Sequence, residues 1–171
     1  MARDIVIWPH KVLTTPSKPV TDFGPELEKL IQEMADSMRE AEGIGIAAPQ
    51  IGVPLRLALV GREDGTWFEI ANPELLEKSE PVSLQEGCLS VPDEFDKVAR
   101  FRKVRVRYQD KTGQWHDVTA EDRLAHVFQH EIDHLDGTVF VTHLSTLKRG
   151  LIREKMQKLQ RQLARKSEAK E

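Results

Sequence analysis

A single cysteine, Cys88, occurs in the 171 residues, which rules out an intrachain disulfide. No apolar run approaches the ~20 residues of a membrane span. The opening residues, Met-Ala-Arg-Asp before Ile-Val-Ile-Trp-Pro, lack the long apolar stretch and small-residue cleavage site of a secretory signal. A cytoplasmic address and no membrane partner are the expectation. Neither sign of charge dominates: the formal net charge of -3 excludes a surface built wholly to hold nucleic acid. What is present is 39% apolar and 31% charged residues, enough for a core and too apolar for wholesale disorder. The length suits one domain over residues 1–171, with a C-terminal helical extension from about 145.

The patterning reads as α+β. Ile5 to Leu13 is predicted as an extended arm and Thr14 to Gly24 as a loop. Pro25 then opens a helix, with Leu27, Leu30, Ile31, Met34 and Met38 on one face, that stops before Gly43. Leu55–Val60 and Trp67–Ala71 read as strands joined at Asp64-Gly65, the second ended by Asn72-Pro73. Val104, Val106 and Tyr108 alternate with polar residues as a half-buried strand that turns at Lys111-Thr112-Gly113 into Gln114–Val118. Hairpin connections imply antiparallel sheets. A second helix is predicted from near Thr119, with Thr119 and Asp122 spaced as a capping box and Gly137 as its stop. A third runs from about Ser145, with Leu147, Leu151, Met156, Leu159 and Leu163 as its apolar stripe. The fold class is therefore antiparallel β-sheets packed around a central helix, with an N-terminal and a C-terminal helix.

The central helix carries His130-Glu131-Ile132-Asp133-His134. Positions four apart share a helix face, so two imidazoles can converge on one metal ion while Glu131 reaches a water beside it. A catalytic site needs a third ligand. His143, Asp136 and Cys88 are the candidates, and Cys88 is favoured if Gly87 and Pro92 shape a tight turn facing the helix. His126 shares the histidine face, but three ligands over two turns span about 12 Å at 1.5 Å per residue, too far for one ion. It reads as a pocket-edge or surface residue. Asp133 reads as a helix charge or a partner for Arg100 that orients the helix.

Three segments together resemble the peptide deformylases: Gly43-Ile44-Gly45-Ile46-Ala47-Ala48-Pro49-Gln50, Glu86-Gly87-Cys88-Leu89-Ser90, and Gln129-His130-Glu131-Ile132-Asp133-His134-Leu135-Asp136-Gly137. They stand in that family's order and at similar spacings. The resemblance implies a hydrolase that removes the N-formyl group from the N-terminal formylmethionine of nascent polypeptides and releases formate. It implies Cys88, His130 and His134 as metal ligands and Glu131 as general acid/base. Gln50 and the Leu89 N–H would stabilise the oxyanion, and Gly45 would offer backbone bonds to substrate. Ile44 and Leu84 are candidate walls for the methionine side chain. The implied ion is Fe2+, with Zn2+, Ni2+ or Co2+ as substitutes, although a Cys-His-His set binds zinc more tightly on intrinsic affinity. A monomer is expected. From Thr146 to Glu171 nine Lys/Arg stand against three Glu, a basic helix that could dock on RNA or an acidic partner, and the resemblance implies the ribosome as the candidate.

Overall fold

The computed structural model describes residues 1–170. Glu171, the last acid of the basic tail, lies outside the described residues. The elements are α1 (Lys11–Thr14), α2 (Pro25–Glu40), β1 (Gly45–Ala47), β2 (Leu57–Gly61), β3 (Trp67–Cys88), β4 (Val91–Gln109), β5 (Trp115–Glu121), α3 (Asp122–Leu135) and α4 (Thr146–Ala169). Short 3₁₀ turns cover Ala48–Ile51 and Phe140–His143. The strands form one antiparallel sheet in the order β1-β2-β3-β4-β5, where the sequence suggested several.

That sheet is continuous because β3 does not end at Asn72-Pro73. Asn72 takes a left-handed φ of 49°, and the pairing with β4 slips between Ala71 and Glu74. A bulge absorbs the proline that cannot donate to a ladder. The Asn72 side chain fastens this bend, accepting from Val20 N (2.8 Å) and donating to Val20 O (2.9 Å) and Gln109 Oε1 (2.7 Å). Beyond it β3 pairs with β4 alone as far as Cys88, so the long hairpin leaves the sheet body and carries its tip to α3.

The amphipathic face of α3 buries Ala125, Val127, Phe128, Ile132 and Leu135 against Val60, Ile70, Val104 and Val106. The helix starts later than its sequence suggests. Thr119 belongs to β5, which pairs on through Ala120 and Glu121, and no side-chain cap forms at Glu121. Buried Ala120 continues the inward alternation of the strand, and ladder pairing outweighs the local capping signal. On the other face of the sheet α2 packs Leu27, Ile31, Met34 and Met38 against Ile46, Leu57 and Leu59.

The N-terminal arm is extended only to Pro9 and then forms α1, capped by His10 Nδ1 accepting from Val12 N at 3.1 Å. Before that turn, Val6 N donates to Gln50 O (2.7 Å) and Trp8 N to Ser90 O (2.9 Å). The arm thus stitches the Gln50 turn to the tip of the β3–β4 hairpin. The α4 stripe also differs from expectation. Ile152 and Met156 are buried, whereas Leu147, Leu151 and Leu163 are 74%, 53% and 45% exposed. Lys148–Asp96 (2.9 Å) and Lys155–Glu94 (3.0 Å) help dock the helix with a different face inward.

Gly137 ends α3 at φ 78°, and a Cβ there would lie 2.8 Å from the Thr15 backbone carbon. Gly65 has φ 87° with open space around it. Gly65→Ala therefore isolates the conformational cost, about 1 kcal/mol, while Gly137→Ala adds a backbone clash and should cost at least about 2 kcal/mol. Urea unfolding of the two variants measures the difference; equal losses would contradict the close approach.

Candidate metal centre

Cys88 closes β3, Leu89-Ser90 makes a two-residue turn, and Val91 begins β4 opposite Cys88. Gly87 lets the exposed Phe95 ring lie across the hairpin, since a Cβ there would sit 2.6 Å from that ring and displace it. The hairpin tip presents the thiol to α3. The Cys88 Sγ lies 3.3 Å from His134 Nε2, which lies 3.2 Å from His130 Nε2. The ligand atoms of Cys88, His130 and His134 all fall within 4.8 Å of one another. His143 and Asp136 are not part of this cluster.

This donor set fits a transition-metal ion. One thiolate and two imidazole nitrogens are the soft and borderline donors that such ions take. His130 has its other nitrogen on the Glu86 carboxylate, which fixes the tautomer that turns Nε2 to the cluster. A metal held there is the metalloenzyme feature that Cys88, His130 and His134 can supply.

Glu86 is 4% exposed and is the residue that sequence reasoning gave no role. Its oxygens accept from Arg100 Nε (2.9 Å) and Nη2 (2.7 Å), from His126 Nε2 (3.1 Å) and from His130 Nδ1. Burial pushes its carboxyl up, but the bonds from His126, His130 and Arg100 outweigh that and hold it far below the usual carboxylate range. Arg100 Nη1 reaches on to Asp133 Oδ2 at 2.7 Å, the contact anticipated for that pair, and His143 Nε2 meets the same oxygen at 2.9 Å. His126 is neither a ligand nor free at the surface; it sits at the cavity wall, bonded to Glu86.

Glu131 has the opposite surroundings. It is 2% exposed, its Oε2 has no hydrogen-bond partner among the described residues, and burial raises its pKa to about 7. Gly45 packs straight onto it: a Cβ on Gly45 would meet Glu131 Cδ and Cγ at 3.1 Å. Gln50 is held by Ala47 N donating to its Oε1 (2.9 Å), which aims its Nε2 at Cys88 Sγ (3.6 Å) and Ser90 Oγ (3.3 Å).

These groups face a cavity of about 480 Å³ that Ile44, Gly45, Gln50, Cys88, Leu89, His130 and Glu131 help to line. Leu84 is half-buried on β3 and is not among the lining residues. Phe95, 63% exposed at the rim, is. Nothing in its sequence neighbourhood marks it, whereas Glu86 stood two residues from Cys88. A larger cavity of about 730 Å³ adjoins across Ile44 and Val127 but holds none of the donor atoms, so size does not locate the chemistry.

Arg100 lies between two carboxylates at 5% exposure, whereas Arg105 binds Glu77 and Asp117 at 40% exposure. Arg100→Met strands buried charge and should cost about 3–5 kcal/mol. Arg105→Met should cost far less, because its pairs are screened by water. Chemical denaturation reads both, and a mild Arg100 variant would contradict the network.

A family profile described as polypeptide deformylase matches residues 2–150. The peptide deformylase of Desulfotalea psychrophila is 47% identical over 159 residues, covering 90% of this chain and 94% of the relative. That of Acidobacterium capsulatum is 44% identical over 165 residues, covering 94% and 97%. The crystal structure of a peptide deformylase from Legionella pneumophila superposes with a TM-score of 0.89 at 42% identity, covering 96% of this chain and 99% of that one. With the cluster carried by a fold and a sequence shared over nearly their whole length, this chain belongs to the polypeptide deformylase family.

Proposed function

We propose that the family's reaction, removal of the N-formyl group from nascent polypeptides, takes place in this chain at Cys88, His130 and His134, with Glu131 carrying the proton. The observation that carries the assignment is the convergence of those three donors within 4.8 Å beside a buried glutamate whose Oε2 is unpartnered. A metal ion held by the three supplies Lewis acidity and makes a water nucleophilic at neutral pH. Iron(II) is the proposed native ion, with zinc, nickel or cobalt as substitutes.

Glu131 accepts the proton of the attacking water and returns it to the departing amine nitrogen as the C–N bond breaks and formate leaves. Its pKa of about 7 suits it to both transfers near neutral pH. Gln50 Nε2 and the Leu89 N–H donate to the formyl oxygen as it gains charge. The substrate backbone lies along β1. Gly61 N takes Ile44 O at 2.8 Å on the β2 side, so strand alternation turns the Gly45 N–H and C=O to the open edge. The methionine side chain takes the cavity, with Ile44 as one wall. We place the reaction in the cytoplasm, in a monomer whose 1–171 span is one domain, and assign the cationic α4 to the ribosome. In the described residues no helix is long and apolar enough to cross a membrane.

Formate release from formyl-Met-Ala-Ser against acetyl-Met-Ala-Ser tests the reading. The formylated peptide should react and the acetylated one should not. Glu131→Gln should lose at least about 10²-fold in rate while holding its metal. Cys88→Ala should lose metal, and His126→Ala should still bind close to one ion per chain. Equal cleavage of both peptides, or an active Glu131→Gln protein, would overturn the assignment.

A further inference from the structure

His126 is a polar residue of the cavity wall that the reaction does not use. It stands one turn before His130 on α3, with its side chain 18% exposed, and its Nε2 lies 3.1 Å from Glu86 Oε2. His130 Nδ1 takes the other oxygen of the same carboxylate. Glu86 therefore bridges two consecutive turns of α3 on one side and meets the Arg100 fork on the other. Without His126 the carboxylate's one direct bond to α3 would be to His130, the very ring it has to orient, leaving only the indirect tie through Arg100 and Asp133. With His126 it is tied to the helix independently of that ring.

We propose that His126 is a positioning residue for the metal: by donating Nε2–H to Glu86 it fixes the acceptor that orients His130, and so slows loss of the ion. The inference rests on the Cys88–His130–His134 assignment. It differs from a mere wall role, because any apolar residue of similar volume could line the cavity, whereas only a donor at that reach can hold Oε2. Partners of metal-bound histidines are typically worth about 10–100-fold in affinity. One link further out, the effect should be smaller.

The test uses full-length protein loaded with zinc, mixed with excess chelator, with release followed by a zinc indicator dye. His126→Leu should release the ion roughly fivefold to tenfold faster than the parent. His126→Gln, whose Nε2 donor extends nearly as far, should stay within about twofold of it. If the leucine variant does not fold, His126→Ala takes its place with the same expectation. The KM for formyl-Met-Ala-Ser, measured alongside, reports the wall role separately. Release at the parental rate in the leucine or alanine variant overturns the proposal, as does a glutamine variant as leaky as the leucine one. A parent protein that holds no zinc would instead overturn the ligand assignment itself.

Discussion

A carboxylate taken out of water stays ionised only if donors replace the water, and Glu86 has them on both oxygens from Arg100, His126 and His130. Each of those donors belongs to something the metal centre needs. Arg100 sits on β4 and extends the network to Asp133, which fixes the far side of α3 to the sheet. His130 is a ligand. Glu86 itself is two residues from Cys88 on the hairpin strand. The carboxylate therefore holds the hairpin tip and the histidine helix in one relative position, and three donor atoms from two elements meet as a consequence. Such a buried network is costly to assemble and costly to break, which favours a single arrangement over many.

Glu131 shows how environment separates the roles of two buried glutamates. Glu86 is surrounded by donors and is held far down the pH scale, where it can only accept. Glu131 is packed against Gly45, has an unpartnered oxygen, and is raised to about 7 by burial. One carboxylate is thus a fixed charge, and the other has the surroundings that the proposed proton carrier needs. Two groups of the same chemistry whose surroundings push their pKa values apart mark the acid/base assignment.

The proposed ligands are legible in the sequence because their signal is local. His130 and His134 are a helical repeat, and Cys88 follows Gly87 directly before the Leu89-Ser90 turn. The Arg100–Asp133 contact was anticipated, yet its link to Glu86 was not. That link depends on the register of a 22-residue strand against a 19-residue one, with slips at Ala71/Glu74, Leu75/Glu77 and Glu86/Cys88. A bulge has no period for a pattern to reveal. For the same reason Asn72-Pro73 looked like the end of a strand, and Thr119 looked like a helix cap. In both places cross-strand pairing overrode a sound local signal. The buried face of α4 is not legible because several leucine spacings fit one helix equally well, and the packing of Ile152 and Met156 with Trp8 and Phe140 selects it.

The central claim is that one ion is held by a thiolate from the hairpin and two imidazoles from the helix. X-ray absorption at the metal edge of zinc-loaded protein measures that directly. The account expects one sulfur at about 2.3 Å and two imidazole nitrogens at about 2.0–2.1 Å in the coordination shell. A shell without sulfur, or one with a carboxylate oxygen in its place, would contradict it.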